Sequence, residues 1–153
     1  MKTRFNFAIV IIAIMAFLTA CNSSDNQVRK ETDSMETNLI VNINSDPAIK
    51  THSTLVGIKF AKKAFDKGLN VTLFLNVDGV KLLQPEADTL AFQRQNIINE
   101  LNKAAEKGVE IIACPHCMEA VGIDSTKIPS YVKVGQDGVI MERIKNNPTV
   151  FTY

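Results

Sequence analysis

The sequence predicts an α/β domain: a single three-layer unit with a mostly parallel, five-stranded sheet and helices on both faces. Two observations favour this class. Short apolar segments alternate with amphipathic segments of helical length throughout residues 38–153, and this alternation is typical of βαβ units. These 116 residues also suffice for one domain with one core. The right-handed crossover rule narrows the topology further.

The first half of the domain contains two strands around one helix. Residues 38–44 (NLIVNIN) form a short apolar run that indicates a buried strand. Asp46 and Pro47 follow and predict the start of a helix over about residues 48–67, which Gly68 ends. Its apolar face comprises Leu55, Val56, Phe60, Ala61, Ala64 and Phe65. Residues 70–77 (NVTLFLNV) are the second strand.

The second half continues the alternation with shorter elements. A helix is predicted over about residues 91–107, closed by Gly108. Its core stripe comprises Ile97, Ile98, Leu101, Ala104 and Ala105. The third strand spans residues 109–113, and a short helix follows it and ends by Gly122. The domain is completed by a fourth strand (130–134), a weaker helix (138–146) and a last strand (149–153).

The N-terminal residues have the three-part pattern of a secretory signal. Lys2 and Arg4 precede an apolar run over residues 5–17, and small residues lead to Cys21. The run is short for a membrane span, which needs about 20 residues; a short membrane anchor is the alternative. Leu-Thr-Ala before Cys21 resembles the lipobox of bacterial lipoproteins, which implies that residues 1–20 are removed and Cys21 is lipidated. Residues 21–37 are polar and predict a flexible tether.

This N-terminus also predicts a location. We expect the domain in the cell envelope, lipid-anchored to a membrane on its periplasmic side or at the cell surface. A thiol pair outside the cytoplasm can persist as a disulfide. Without Lys2 and Arg4 the chain has 15 basic residues against 16 acidic ones and no basic stripe, so we expect no nucleic-acid partner. No G-x-G-x-x-G sequence or Walker loop occurs, and no cofactor is expected.

The candidate reactive group is Cys114-Pro115-His116-Cys117, directly after the third strand. Pro115 suits a first helical turn and places Cys114 near the N-cap. Unpaired N–H groups and the helix dipole at such a position lower the pKa of a thiol, and His116 adds to that effect when it is protonated or donates a hydrogen bond. The alternative, of equal weight, is that His116 caps the helix or faces solvent. Cys117 lies one helical turn on, within reach of Cys114. The pair predicts either persulfide formation and sulfur transfer or thiol–disulfide exchange, with Cys117 resolving the mixed disulfide.

Other readings of these cysteines stay open. The first is that they are inert core side chains, although a loop position with Pro and His between them argues against that. The second is zinc, which needs four ligands; with Cys21 lipidated only His52 and His116 remain, so we predict no metal site. The third is a thioredoxin-type redox motif, which follows the first strand of its fold, whereas two βα units precede Cys114 here.

Polar residues follow each of the first two strands as well. Asn44 and Asp46 come after the first strand, and Asp78 and Lys81 come after the second. Ligands of open α/β sheets bind beyond the carboxyl ends of the strands. These four residues are therefore candidate substrate-binding residues beside Cys114. The alternatives are that Asp78 caps a turn and that Lys81 is a solvated lysine.

Three segments in order resemble the DsrE/DsrF-like family, which includes sulfur-relay proteins and YchN-like proteins. They are AKKAFDKGLNVTLFLNVDGVKLL, KGVEIIAC and CPHCMEAVGI, and in the last of them Cys114 stands eight residues before Gly122. The resemblance covers nearly all of residues 38–153. It implies a five-stranded, mostly parallel sheet, a homo-oligomer (trimer or hexamer) and a persulfide on Cys114. Cys117 matches a second cysteine of some YchN-like members.

The leading hypothesis is an envelope-tethered sulfur carrier or sulfurtransferase that uses Cys114, supported by Cys117 and His116. Its partners would be small sulfur species or a partner thiol protein. One alternative is a thiol–disulfide oxidoreductase. The other is a non-catalytic binding or scaffold module whose cysteines form a structural disulfide.

Overall fold

A computed structural model of the protein describes residues 38–136 and 138–153. The main sheet in this part of the chain comprises β1 (Asn38–Ile43), β2 (Asn70–Leu75), β5 (Glu110–Ala113), β6 (Val132–Val134) and β7 (Thr149–Thr152). The strand order is β6-β5-β2-β1-β7, and every neighbouring pair is parallel. A separate antiparallel pair consists of β3 (Ala91–Phe92) and β4 (Gln95–Asn96). The predicted α/β class with a five-stranded parallel sheet is confirmed.

Helices and short 3₁₀ segments connect the strands. The α-helices within the described ranges are α1 (Thr51–Asp66), α2 (Ile97–Lys107), α3 (Pro115–Ala120) and α4 (Val139–Lys145). The 3₁₀ segments are Val77–Leu83 and Pro85–Thr89, which follow β2.

The direction of the crossovers explains how the helices divide between the two faces. From β1 through β2 and β5 to β6 the chain moves one way along the sheet. Right-handed crossovers therefore place α1, α2 and α3 on one face, where they share a core with alternate strand side chains. The return from β6 to β7 runs the opposite way. Accordingly α4 lies over the other face, where Arg143 binds Glu110 of β5 at 2.6 Å.

The core follows the period-two alternation of the strands. β1, β2 and β5 each direct every second side chain toward α1 and α2. The side chains that become fully buried there include Val41, Ile43, Ile58, Leu73, Leu75, Leu101 and Ile111. Truncating one such side chain to alanine typically costs about 2–5 kcal/mol. This packing fixes the carboxyl ends of the strands, which carry the candidate site.

The first helix begins later than predicted and turns a slightly different face to the core. The Asp46 carboxylate accepts the Ala48 N–H at 2.9 Å, and its carbonyl accepts two further N–H groups, so residues 46–50 form a turn. Val56, which was predicted in the core, is 40% exposed, whereas Ile58 is fully buried. The buried positions of α1 recur largely every three residues, which moves Ile58 onto the inner face.

The second helix also begins later than predicted. Residues 91–96 form the β3–β4 hairpin, with Gln93 and Arg94 at positive φ in its turn. The side chain of Asn96 then caps α2 by accepting the N–H of Asn99 at 2.9 Å. An asparagine cap satisfies one of the free N–H groups of the first turn. It explains why the helix begins at Ile97 and not at residue 91.

Candidate functional site

Several strands end in one row at the carboxyl edge of the sheet. The residues aligned there are Ile43, Leu75, Ala113 and Val134. One residue further along stand Asn76, Cys114 and Gly135. Their N–H groups continue the ladder by donating to the carbonyls of the aligned neighbours, at 3.0, 2.9 and 2.8 Å respectively. The sheet therefore holds Cys114 in register, between the ends of β2 and β6.

A crevice opens beside Cys114 because the chain leaves β5 and β6 toward opposite faces. The chain after β5 enters α3 on the core side, and the chain after β6 leads to α4 on the other side. Such a point is where open α/β sheets bind ligands. The described residues that line the crevice are Phe74, Cys114, Pro115, His116, Gly135, Gln136, Gly138, Ile140 and Met141. Its volume of about 120 Å³ is well below the roughly 300–1,000 Å³ of typical small-molecule pockets.

Cys114 occupies the N-cap position of α3, as the sequence predicted. Its backbone is extended, with φ −72° and ψ 117°, and Pro115 opens the helix. The carbonyl of Cys114 accepts the N–H of Met118 at 3.0 Å, and Met118 is buried in the core. The cysteine side chain is half-buried and faces the crevice. Cys114 is thus a thiol on a fixed backbone at the wall of a small cleft.

Cys117 lies one turn further, against the 3₁₀ segment that follows β2. Its Sγ accepts the N–H of Val77 at 3.1 Å, and its thiol interacts with that of Cys114 strongly enough to shift its pKa. Both cysteines are free thiols. Burial raises the pKa of Cys117, and its interaction with the Cys114 side chain raises it further, against a smaller opposing effect of the Val77 N–H. Cys117 is therefore a thiol at neutral pH.

Val77 has an unusual backbone conformation, with φ at +48°. Such a value is a steric outlier for a β-branched residue and costs about 1–3 kcal/mol. The side chain of Val77 is largely exposed, so its packing does not explain the conformation. The strained turn directs the Val77 N–H at Cys117. Sequence analysis missed this residue because it lay at the end of an apparently regular strand.

Gly79, in the Asp78-Gly79-Val80 sequence after β2, has a steric reason to be glycine. A Cβ on Gly79 would lie 2.0 Å from the carbonyl oxygen of Ile43 and 2.7 Å from its carbonyl carbon. The 3₁₀ segment therefore packs directly on the end of β1, and only a residue without a side chain fits. The same contact fixes the turn that holds Val77 against Cys117.

The structure brings three of the predicted substrate-binding residues together. The ammonium group of Lys81 lies 2.8 Å from Asp46 Oδ2 and 2.8 Å from Asp78 Oδ1. The hydrogen bond to Lys81 is the main cause that lowers the pKa of Asp46, and the two carboxylates raise the pKa of Lys81. These residues tie the loop after β1 to the segment after β2, and none of them is among the crevice-lining residues. Their role in substrate binding stays a prediction.

Two further predicted residues lie at the same edge. Asn44 donates its backbone N–H to the carbonyl of Tyr153 at 3.0 Å, and its Oδ1 accepts the Ser45 hydroxyl at 3.4 Å. His116 is exposed and lines the crevice next to Cys114. Its predicted role beside Cys114 stays a prediction.

The far wall of the crevice was missed by the sequence analysis. It consists of Gly135 and Gln136 after β6 and of Ile140 and Met141 on α4. Gly135 directly follows a predicted strand, so the carboxyl-end rule could have found it. The strand order was needed to show that β6 lies next to β5.

The remaining predictions concern the lipidated N-terminus, a metal site and membrane-spanning segments. Cys21 and the tether lie outside the described residues. In residues 38–136 and 138–153, no cluster of three or more His, Cys, Asp or Glu side chains could hold a metal ion. His52 stacks on Phe92, with ring centroids 4.1 Å apart. No described helix is long and apolar enough to cross a membrane.

Comparison with known proteins identifies the family. The family model described as DsrE/DsrF-like matches residues 38–153, which is the whole described domain. The chain belongs to the DsrE/DsrF-like family. Sulfur relay is the general theme of this DsrE-like family. None of the curated proteins matches the sequence significantly.

Solved structures share the DsrE-like fold at low sequence identity. The YchN protein of E. coli matches with a TM-score of 0.59 and 17% identity, over 76% of this chain and 97% of its own. A protein of unknown function from Methanobacterium thermoautotrophicum matches with a TM-score of 0.59 and 17% identity, over 76% of this chain and 98% of its own. A conserved protein of unknown function from Bacteroides thetaiotaomicron matches with a TM-score of 0.55 and 20% identity, over 79% of this chain and 98% of its own. These matches show the fold of the DsrE-like domain.

Proposed function

We propose that this DsrE-like protein is a sulfur carrier or sulfurtransferase in which Cys114 holds sulfane sulfur as a persulfide. The observation that carries the proposal is the position of Cys114: it is the nucleophilic side chain that lines the small crevice between the ends of β5 and β6. A volume of about 120 Å³ suits a group of a few atoms.

The loading step needs a donor of sulfane sulfur. The Cys114 thiolate attacks a sulfur atom of an inorganic polysulfide or of a persulfide on a partner thiol protein. A bond forms between Cys114 Sγ and the transferred sulfur, while the bond to the donor breaks and the donor leaves as a shorter polysulfide or a thiolate. The backbone around Cys114 takes no part, since its N–H and carbonyl are bonded to Leu75 and Met118.

The test is mass spectrometry of reduced protein after brief exposure to polysulfide and alkylation. We expect one added sulfur on Cys114 in the native protein. Cys117→Ser serves as the matched control and should still load, whereas Cys114→Ser should not. The proposal fails if Cys114 stays unmodified, or if sulfur adds equally to Cys114→Ser.

A second candidate function is thiol–disulfide exchange, which the interaction between the Cys114 and Cys117 side chains favours. In that case a partner disulfide would react with Cys114, and Cys117 would resolve the mixed disulfide. Measurement of the reduction potential of the pair separates this from a structural role, because structural disulfides typically lie below about −300 mV.

We further propose that the domain is lipid-anchored to an envelope membrane through Cys21 and forms a homo-oligomer. The lipobox-like sequence before Cys21 supports the anchor. Exposed apolar side chains on α4 and β7, including Met141, Ile144, Val150 and Phe151, support self-association. Cys21→Ala should move the protein from the membrane fraction to the supernatant. Light scattering of the purified protein should give a trimer or hexamer, and a monomer at working concentration would refute the assembly.

A further inference from the structure

We infer that Cys117 discharges the Cys114 persulfide by attacking Cys114 Sγ and releasing the outer sulfur as hydrosulfide. This rests on the proposed function, because it needs a persulfide on Cys114. It adds an activity beyond carrying sulfur. The protein would reduce sulfane sulfur to sulfide while its own cysteine pair is oxidised.

Cys117 and the crevice have different surroundings around Cys114. The crevice is lined by Cys114, and Cys117 is not among the described residues that line it. Cys117 instead accepts the Val77 N–H on the 3₁₀ segment at 3.1 Å, one helical turn after Cys114. Displacement at sulfur needs the attacking and leaving atoms on opposite sides. The inference therefore requires the outer sulfur to occupy the crevice while Cys117 stays against the 3₁₀ segment.

The Val77 N–H provides the means to stabilise the attacking thiolate. A hydrogen bond to a charged acceptor is roughly twice as strong as one to a neutral acceptor, so the bond at 3.1 Å strengthens when Cys117 loses its proton. The strained φ of Val77 maintains this donor. Burial raises the pKa of Cys117 and the Val77 N–H opposes that rise, so this hydrogen bond favours the deprotonated, attacking form.

The step balances without an external oxidant. A persulfide on Cys114 and the thiol of Cys117 give a Cys114–Cys117 disulfide and hydrogen sulfide. The bond between Cys114 Sγ and the outer sulfur breaks, and a bond between the two Sγ atoms forms. The outer sulfur is reduced, the Cys117 sulfur is oxidised, and the Cys117 proton leaves with the sulfide. A dithiol reductant then returns the pair to the free thiols.

The experiment follows sulfide release after polysulfide loading and rapid removal of excess donor. Native protein should load on Cys114, then lose the added sulfur, release an equivalent amount of sulfide and gain the Cys114–Cys117 disulfide. In Cys117→Ser the Cys114 persulfide should persist and sulfide release should be lost. Cys117→Ala is the second variant, since it removes the nucleophile without adding a hydroxyl. Thermal melting confirms that both variants are folded.

The outcomes separate this inference from the proposed function. If Cys114 loads but both Cys117 variants release sulfide as fast as the native protein, the inference is overturned while the carrier role stands. It is also overturned if native protein releases sulfide without forming the disulfide. If Cys114 fails to load in native protein and in Cys117→Ser, the proposed function itself fails, and the discharge step fails with it.

Discussion

Gly79→Ala tests the contact that holds the 3₁₀ segment against β1. The added Cβ would meet the Ile43 carbonyl oxygen at 2.0 Å, far inside ordinary van der Waals contact, so the backbone of the segment must move away. Gly79 has no positive φ, and the effect is therefore steric. Overpacking costs about 1–3 kcal/mol. Loss of the exposed hydrogen bond from Val77 to Cys117 adds up to about 0.5–1.5 kcal/mol, which gives roughly 1.5–4.5 kcal/mol in all.

The assay is urea unfolding followed by circular dichroism, together with the alkylation rate of Cys117. The matched control is Gly68→Ala, where a Cβ meets nothing within 4 Å but φ is +84°. That control carries only the left-handed backbone penalty of about 1–2 kcal/mol. Gly79→Ala should destabilise the protein more and should speed alkylation of Cys117, whereas Gly68→Ala should leave alkylation unchanged. Equal destabilisation with unchanged alkylation would refute the reasoning.

Two other predictions follow from single residues. Val77→Gly removes the backbone strain at φ +48°, which is worth about 1–3 kcal/mol. The added entropy of glycine in the unfolded chain costs about 0.5–1 kcal/mol, so the urea midpoint of unfolding should rise. A lower midpoint would contradict the strain argument. Glu110→Gln should destabilise the protein at pH 7 by about 1 kcal/mol. Burial opposes ionisation of Glu110, but Lys133, Arg143 and Thr72 outweigh it and lower its pKa below 4.5. Its stabilising effect is therefore present above pH 4.5 and lost as the pH falls through the lowered pKa, so the gap between native and variant midpoints should close in acid; a gap independent of pH would argue against this.

The alternation of short apolar runs with amphipathic segments was enough to predict the sheet and the position of Cys114. Each strand is short and bounded by glycine, proline or polar residues, and Pro115 after the third strand fixes Cys114 at the helix N-cap. These signals are local in sequence. The prediction of the fold and of that position therefore needed no knowledge of strand order.

The features that sequence analysis missed depend on contacts between distant segments. The crevice exists because β6 pairs with β5 while their following helices lie on opposite faces. The turn at Val77 depends on packing of Gly79 against Ile43, more than thirty residues away. Ile58 is buried because the face of α1 is set by the strands beneath it. The crevice and the Gly79 contact leave no periodic pattern in the sequence, whereas Ile58 belongs to a three-residue repeat with Leu55, Ala61 and Ala64 that sequence analysis could have used.

The pairing of β7 with β1 affects how the protein folds during its synthesis on the ribosome. Asn42 and Thr152, which hydrogen-bond across this pair, are separated by 110 residues. At a synthesis rate of about 5–20 residues per second, one edge of β1 stays without its final neighbour for roughly 5–20 s. An unpaired edge is a template for pairing with other chains. A protective partner during that interval should therefore raise the yield of correctly folded protein, and the loop-closure cost of joining the first and last strands should make this the slow step of folding.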